Sequence, residues 1–348
     1  MNPYFESLRT LWQNPDFKPK HVSINQERLE AVARDLAMKE LPLPQWREEV
    51  FPQADNDTFI DFLIVSGAIN YCFTDFKTGK KYDVEYPKGS GKIWYGSYAM
   101  FAALKRAMDE GIDILNPRFL SKLDLDETYY IFRHVSTAIP MVGSRLGQLR
   151  YLGEDSFRAS FAEEFNFLDF REVAGCVEHL TLQYSRSYED ESYWPALDDP
   201  QVDEPGVKEY YLEFNKRAQL VPMMYHGRAM ASGGALQPIR DPENFGPICD
   251  YQVPKALRHL GVVEYAPELA SKVDNGVVIK RESREEIELR MLGCAQPMCL
   301  LLERINDLRP GFGLPKITMA ELDNAIWRLG RNLPQDVNKH HYTYTTAY

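Results

Sequence analysis

The sequence lacks the features by which several classes of protein are recognised. Its five cysteines are scattered and form no Cys-x-x-Cys pair, which argues against a zinc knuckle or a disulfide framework and favours a reducing compartment. The first ten residues contain no basic region followed by an apolar core, so no signal peptide is indicated. The most apolar stretch, Met291 to Leu302, is interrupted and too short to span a bilayer. We therefore expect a cytoplasmic protein with no membrane association.

Positive charge is also in short supply. Forty basic residues stand against fifty-one acidic ones, which gives a net charge of -11. A protein that binds a nucleic-acid polymer neutralises phosphates with surplus Lys and Arg, so this balance argues against such a partner. It leaves room for a small anion held by one local cation. The stretch from Tyr188 to Gly206 holds seven acidic residues, three prolines and no basic residue, a composition typical of a solvated surface loop.

Motifs of the common enzyme classes are absent as well. The sequence contains no Walker loop, no Gly-rich dinucleotide fingerprint, no His-Glu-x-x-His and no Gly-x-Ser-x-Gly elbow. The seven histidines are isolated apart from His340-His341. No spacing of histidines and carboxylates indicates a metal site, and we expect none.

What is present is mostly helical periodicity. Ser23-Ile-Asn-Gln26 and Ser283-Arg-Glu-Glu286 are capping-box patterns, each followed by apolar residues at helical spacing. Residues 94–110 predict a helix closed by Gly111 in the C′ position. The apolar positions of the predicted helical faces are Leu29, Val32 and Leu36; Phe170, Val173, Val177 and Leu180; Ile287, Met291, Cys294 and Met298; and Met319, Leu322, Ile326 and Leu329.

Strand signals are clearest in residues 70–86. There Tyr82, Val84 and Tyr86 alternate, and Lys77-Thr-Gly-Lys80 supplies a turn. One small β-hairpin among many helices predicts an all-α, helix-dominated fold. Helices of similar character flank the acidic stretch, so we expect a single compact domain over residues 1–348, with a loop at about 188–206.

A paired cation set is the first segment that could carry chemistry. In Phe214-Asn-Lys-Arg-Ala-Gln219, Lys216 and Arg217 lie between apolar residues. At a helix start they would face solvent or a structural carboxylate. Alternatively, Lys216 binds a phosphate as a point charge.

Asp250 and Asp323 are the candidate carboxylates. Asp250 lies just before a helix that ends at Gly261, so it is either an N-cap or a pocket residue whose two oxygens accept hydrogen bonds from a guanine-like base edge. Asp323 lies four residues before Trp327 on one face of a predicted helix. It either faces solvent or lies in a closed pocket, where a carboxylate acquires a perturbed pKa.

The order and spacing of these segments resemble the queuosine salvage family, the queuosine 5′-phosphate N-glycosylases/hydrolases. The matching elements are FNKRAQ at 214–219, DYQVPKALRHLG at 250–261 and LDNAIW at 322–327, together with residues 61–73, 94–111, 132–145 and 281–290. The resemblance extends from about residue 20 to residue 330, nearly the whole chain.

The resemblance implies an α-helical fold distantly similar to DNA glycosylases. It also implies an N-glycosidase that cleaves the base–ribose bond of queuosine 5′-monophosphate without a metal or organic cofactor, releasing queuine for salvage into tRNA and ribose 5-phosphate. Carried over to this chain, Asp323 lies near the anomeric carbon and Asp250 reads the 7-deazaguanine edge. These are the two candidate catalytic residues, and their roles could be exchanged.

Substrate binding is likewise implied by the resemblance. Lys216 corresponds to a phosphate ligand, and Ile248 stands where the family has an aromatic residue that stacks on the base, so that Tyr251 could supply the stacking. Asn324 and Arg328 replace an aromatic and an acidic residue. The expected substrate-binding set is Lys216, Ile248, Cys249, Tyr251, Asn324 and Arg328.

Two other functions compete with this interpretation. The replacements at Ile248, Asn324 and Arg328 would suit a nucleotide- or base-binding protein that kept the scaffold without catalysis. They would also suit a member of the family that acts on another nucleotide. The helix over residues 254–261 and its tight turn would suit a DNA glycosylase, which the acidic surplus opposes. For the N-glycosidase and for the nucleotide- or base-binding protein we expect a small-molecule nucleotide as partner, and a monomer.

Overall fold

The computed structural model describes residues 5–167, 171–196, 198–199, 208–334 and 337–348. Helices form most of it, which confirms the helix-dominated prediction. No helix within these ranges is long and apolar enough to cross a membrane. The α-helices are α1 (Glu6–Trp12), α2 (Gln26–Ala37), α3 (Asp57–Ala68), α4 (Ser97–Asp109), α5 (Pro117–Leu120), α6 (Leu125–Ile131), α7 (Val142–Asp155), α8 (Phe161–Phe167), α9 (Val173–Gln183), α10 (Ser185–Tyr188), α11 (Lys216–Met230), α12 (Gln252–His259), α13 (Pro267–Asp274), α14 (Arg284–Arg290), α15 (Gln296–Leu308) and α16 (Met319–Asn332).

Short strands form three antiparallel pairs in the described ranges, where the sequence predicted one hairpin. The strands are β1 (Val22–Ile24), β2 (Asp83–Glu85), β3 (Ile93–Tyr95), β4 (Glu191–Trp194), β5 (Tyr210–Glu213) and β6 (Val263–Tyr265). β1 pairs with β6, β2 with β3 and β4 with β5. At the predicted turn Thr74 and Lys81 form an isolated bridge, and the chain then pairs β2 with β3 rather than with residues before the turn.

Two predicted helix starts are displaced by strands. Ser23 lies in β1, and α2 is capped instead by Asn25, whose side chain accepts a hydrogen bond from the Arg28 N–H. Trp94 lies in β3, so α4 begins at Ser97. Pairing with another segment of the chain outweighs the local helix signal at both places.

Other helix signals are confirmed. Gly111 lies just past the end of α4 at φ +79°, and its N–H donates to Met108 O, as a C′ glycine does. Ser283 caps α14 by accepting from the Glu286 N–H. The expected apolar positions are buried, except that Leu36 and Leu329 are half-buried; Phe170 lies outside the described residues.

The described residues divide into two compact units. Unit 1 is drawn from residues 1–44, 190–216 and 241–344, and unit 2 from residues 45–189, 217–240 and 345–348. Because both units are discontinuous in sequence, the acidic stretch does not cut the chain into two halves. The expectation of a single domain over the whole chain stays a prediction.

In unit 1 two helix pairs form the framework. α2 packs against α15, and α12 packs against α16. A Cβ at Gly330 of α16 would lie 2.3 Å from Gln252 O at the start of α12. Glycine at this position therefore lets the backbones of α12 and α16 approach closely.

Unit 2 is built around α3, which packs against α7 and α8. Every α3 side chain from Phe59 to Ala68 is buried. Buried arginines hold the surrounding backbone: Arg145 donates to Tyr71 O and Cys72 O, Arg217 to Ala68 O and Ser187 O, and Arg228 to Trp46 O and Pro52 O.

Candidate active site

Three buried, oppositely charged side chains of unit 1 meet at one place. Lys216 is the first residue of α11, where the chain leaves β5. Asp250 lies two residues before α12, and Asp323 lies in the second turn of α16. Their exposed fractions are 1%, 8% and 6%. The close packing of α12 on α16 brings the two acidic residues to the same region.

Asp250 is not the N-cap that the sequence offered as one alternative, because Tyr251 occupies that position of α12; the other alternative, a pocket residue that accepts hydrogen bonds from a base edge, stays a prediction. The Asp250 Oδ1 does accept a hydrogen bond from the N–H of Gln252, the first residue of α12, at 2.8 Å. The Asp250 Oδ2 lies 3.4 Å from Lys216 Nζ. One carboxylate oxygen thus helps to begin α12, and the other faces the buried ammonium group.

Asp323 is a carboxylate whose ionisation is opposed by its surroundings. Burial raises its pKa to about 7, and the negative charge of Asp250 acts in the same direction, while the Ile248 N–H and the Lys216 charge lower it. The Ile248 N–H donates to Asp323 Oδ1 at 3.2 Å. At neutral pH both protonation states of Asp323 are therefore populated.

The backbone that presents Lys216 is bound to a single residue, Asp190. The N–H groups of Phe214 and Asn215 both donate to Asp190 O at 3.1 Å, and the Lys216 N–H donates to Asp190 Oδ2 at 3.1 Å. Asn215 has a left-handed φ of +47°, a conformation that costs about 1–3 kcal/mol unless neighbouring contacts impose it. Asp190 supplies such contacts.

Arg290, the last residue of α14, holds Asp190 in turn. Its two terminal nitrogens contact the two Asp190 oxygens at 2.8 and 2.6 Å, and its guanidinium lies 3.9 Å from the centre of the Phe214 ring. Burial alone would raise the pKa of Asp190, but the charge and hydrogen bonds of Arg290 hold it below its usual value. A fully ionised, buried ion pair thus lies behind Lys216.

This arrangement corrects the interpretation of the acidic stretch. Asp190 is fully buried and residues 191–194 form β4, so this part is not a solvated loop. Positions 197 and 200–206 of the stretch lie outside the described residues. Sequence reasoning missed Asp190 and Arg290, because they lie 100 positions apart and no local spacing connects them.

Two thiols lie against the segment that carries Asp250. Cys294, in the π-helical turn Met291–Ala295 that joins α14 to α15, donates from Sγ to Ile248 O at 3.4 Å. Burial, the hydrogen-bonded Cys249 thiol and the charges of Asp323 and Asp250 raise the pKa of Cys294. Cys294 is therefore a neutral packing group, and single-turn π-helices of this kind often occur at functional sites.

The remaining expected binding residues differ in their placement. Ile248 and Cys249 are buried next to Asp250. The Tyr251 ring lies against the His340 ring, with ring centres 4.6 Å apart and the ring planes tilted by 32°. On α16, Asn324 is half-buried and Arg328 is exposed; Arg328 follows Asp323 by five positions, which turns it about 140° around the helix axis.

The chemistry available at this place is that of two carboxylates and one ammonium group with little water around them. No group of three or more His, Cys, Asp or Glu side chains that could hold a metal ion is found among the described residues. An ion-paired carboxylate can stabilise positive charge that develops in a transition state. A second acid that titrates near pH 7 can give or take a proton.

Comparison with known proteins connects this geometry to a family. The family model described as "Queuosine salvage protein" matches residues 50–348. A protein of Sphaerobacter thermophilus is 24% identical over 332 residues, which cover 94% of this chain and 93% of the relative. A protein of Bos taurus is 24% identical (86% and 84% covered), and one of Mus musculus is 25% identical (84% and 83% covered).

All three relatives bear the name queuosine 5′-phosphate N-glycosylase/hydrolase. The matched region contains Lys216, Asp250 and Asp323, the three residues that meet in unit 1. It includes more than half of the sequence. This chain belongs to the queuosine salvage protein family.

Proposed function

We propose that this protein hydrolyses the N-glycosidic bond of queuosine 5′-monophosphate, releasing queuine and ribose 5-phosphate. The observation that carries the proposal is the buried ion pair of Lys216 and Asp250 beside Asp323, in a chain that belongs to this family. Queuine released in this way becomes available for salvage into tRNA.

The chemistry of the bond calls for groups of this kind. As the bond between C1′ and the base nitrogen breaks, positive charge builds on the sugar and the electron pair leaves with the base. A fixed carboxylate stabilises the sugar, and a protonated acid supplies the proton that the departing base requires. Water then adds its hydroxyl group to C1′, and its proton returns to the carboxylate pair.

The 3.4 Å separation of Lys216 and Asp250 bears on which aspartate does what. In a nucleotide the far edge of the base and the phosphate lie at opposite ends, so neighbouring side chains cannot contact both. We therefore assign Asp250 to the sugar side, where Lys216 lies between it and the phosphate. Asp323 takes the base side and acts as the acid. The resemblance implies the opposite roles, with Asp323 near the anomeric carbon and Asp250 at the base edge.

The pH dependence of turnover tests this assignment of roles. An acid with a pKa of about 7 in the free enzyme is protonated below pH 7, so kcat/KM should fall as the pH rises from 6 to 8. A kcat/KM that rises over the same interval would give Asp323 the carboxylate role near the anomeric carbon and return Asp250 to the base edge.

The reaction itself is tested by incubating the purified protein with queuosine 5′-monophosphate and measuring free queuine by chromatography. The parent and Asp274→Asn, which changes an exposed ion-paired aspartate, should release queuine; Asp323→Asn should be strongly impaired. No release by the parent would exclude the proposal. Tight binding of the nucleotide without turnover would instead support the non-catalytic binding protein that Ile248, Asn324 and Arg328 suggest.

We further infer a cytoplasmic monomer that needs no metal or organic cofactor and has no nucleic-acid polymer as partner, in a fold distantly similar to DNA glycosylases. The surplus of acidic over basic residues supports the absence of a polymer partner. Sedimentation would test the monomer. Turnover that is unchanged by chelators would support the absence of a metal, and salt-dependent binding of oligonucleotides would contradict the absence of a polymer partner.

A further inference from the structure

The buried pair of Asp190 and Arg290 lies behind Lys216 and is not one of the groups that the reaction uses. Asp190 receives all three consecutive backbone N–H groups of residues 214–216, two at its carbonyl and one at its carboxylate. Because Lys216 is the first residue of α11, its backbone position decides where its ammonium group can reach.

Arg290 makes this anchor stiff. Its planar guanidinium holds both oxygens of Asp190, so the carboxylate cannot rotate away from the Lys216 N–H. The same guanidinium lies over Phe214, the residue two positions before Lys216. Arg290 thus contacts Asp190, which holds the backbone N–H groups of residues 214–216, and also Phe214, which immediately precedes the left-handed Asn215.

The end of α14 also reaches the other half of the site. Four residues after Arg290, Cys294 contacts Ile248 O, and the Ile248 N–H holds Asp323. One continuous piece of chain, Arg290 and the π-helical turn, therefore touches the segment that carries Lys216 and the segment that carries Asp250.

We propose that Asp190 and Arg290 are positioning residues that fix the ammonium group of Lys216 against Asp250 and Asp323, so that the pair acts on the reaction only through Lys216. The proposal rests on the function proposed above. It assigns a role to two residues of the chain that touch neither substrate nor reacting atoms.

The titration of Asp323 provides a readout that does not depend on turnover. The charge of Lys216 lowers the pKa of Asp323, so displacement of the ammonium group should raise that pKa above 7. The direct effect of neutralising Asp190 has the opposite sign, because loss of a negative charge favours ionisation of a neighbouring acid. A rise in the pKa of Asp323 in the variant Asp190→Asn therefore reports the movement of Lys216.

The experiment is a double-mutant cycle of Asp190→Asn and Lys216→Met. The carboxyl carbon of Asp323, assigned by its disappearance in Asp323→Asn, is titrated by NMR, and queuine release is measured in parallel. Asp190→Asn should raise the pKa of Asp323 and lower kcat/KM roughly tenfold, the effect of one displaced charged group. In the Lys216→Met background the same change should leave kcat/KM unchanged and should no longer raise the pKa of Asp323, because only the direct effect of the lost Asp190 charge remains.

Asp55→Asn is the control, because Asp55 pairs with the fully buried Arg228 of unit 2. It should lower the melting temperature without moving the Asp323 titration. The variant Asp190→Asn/Arg290→Gln removes both charges of the pair and should repeat the effect of Asp190→Asn, although the buried Glu286 also loses its 3.8 Å contact with Arg290 Nε.

Equal effects of Asp190→Asn with and without Lys216, or an unchanged Asp323 titration in the folded variant, would overturn the proposal. Failure of both Asp190→Asn and the doubly neutral variant to fold would also overturn it, since the pair would then serve folding alone. A parent that releases no queuine would contradict the proposed function, while the titration would still decide whether the pair positions Lys216.

Discussion

Lys216 and Arg217 are neighbours at the start of α11, yet their charges meet different partners. Lys216 belongs to unit 1 and faces the carboxylate of Asp250. Arg217 belongs to unit 2 and donates to the backbone carbonyls of Ala68 and Ser187. The same contrast extends to the buried cations around them.

In unit 2 the arginines at 145 and 217 use neutral carbonyl groups as acceptors, and Arg228 combines carbonyl acceptors with an ion pair to Asp55. In unit 1 Arg290 and Lys216 meet carboxylates. A carbonyl acceptor has no ionisation to adjust, so the contacts of Arg145 and Arg217 fix the backbone. A carboxylate acceptor gives a network in which each charge changes the protonation of the others, and this is the property that acid–base chemistry requires.

The largest expected effect comes from Asp323, the carboxylic acid of unit 1 whose pKa burial raises to about 7. Asp323→Asn should lower the rate of queuine release by about 100- to 1000-fold, the usual result of removing one preorganised electrostatic group. Chromatographic assay of single-turnover rates measures it, with Asp274→Asn as the exposed control. A loss below about tenfold would remove Asp323 from the chemistry.

The same variant should change how folding stability depends on pH. The folded-state pKa of Asp323, about 7, exceeds its unfolded value. The contribution of Asp323 to the free energy of unfolding is therefore complete below about pH 4 and is lost as the pH rises through 7. This contribution is on the order of 4 kcal/mol. Asp323→Asn should lack this loss. Urea unfolding at pH 5 and pH 8 measures the difference, and parallel curves for parent and variant would contradict the raised pKa.

The neighbouring cations provide the sharpest comparison of the two units. Arg217→Met leaves two buried carbonyls without a donor and should lower the free energy of unfolding by roughly 2–4 kcal/mol, with unchanged turnover per folded molecule. Lys216→Met should lower kcat/KM for the nucleotide about 10- to 100-fold, more than for the unphosphorylated nucleoside. It should also cost stability, because it leaves the buried carboxylate of Asp250 without its cation, so turnover per folded molecule is what separates the two variants. Similar changes in kcat/KM for both variants would contradict the proposed difference between the two units.

Asp61 is the buried acid of unit 2 that corresponds to Asp323. Burial raises its pKa to about 6, against the hydrogen bonds from the Ala162 and Phe161 N–H groups. Its stabilising effect is therefore present below about pH 4 and lost as the pH rises through 6, at most about 3 kcal/mol. Asp61→Asn should flatten the stability profile between pH 4 and 7 and leave queuine release unchanged. A change in kcat would show that unit 2 also tunes the chemistry.

Gly330→Ala should give the smallest change, about 1–3 kcal/mol of lost stability from forced separation of α12 and α16, with a modest loss of kcat as Asp250 and Asp323 move apart. Gly311→Ala is the matched control, because a Cβ there meets nothing within 4 Å. Thermal melting and turnover of both variants measure the effect. Equal melting temperatures and turnover rates in the two variants would mean that the close approach of α12 and α16 limits neither stability nor catalysis.

Much of the fold was predictable where the signal is local. The caps at Ser283 and Gly111 and the apolar faces of α9, α14 and α16 depend on residues within one or two turns of each other. The strands were predicted poorly. Ser23 and Trp94 each carry a helix-compatible local pattern, but each pairs with another segment, Ser23 with one about 240 positions away.

The candidate site follows the same division. Lys216, Asp250 and Asp323 were recognisable because each lies in a short segment with its own pattern and because the three segments together resemble a family. Asp190 was misjudged, since its acidic surroundings in sequence are typical of a loop while its actual neighbours are Arg290 and the backbone of residues 214–216.

By itself the sequence determined the helical class, the family resemblance and the identities of three chemical groups, since these depend on composition and short-range order. The pairing of Lys216 with Asp250, the raised pKa of Asp323 and the anchoring of Lys216 by Asp190 and Arg290 were decided only by the tertiary structure. Protonation and ion pairing depend on burial and on distances of a few ångströms between segments up to 100 residues apart, and one-dimensional order does not contain those distances.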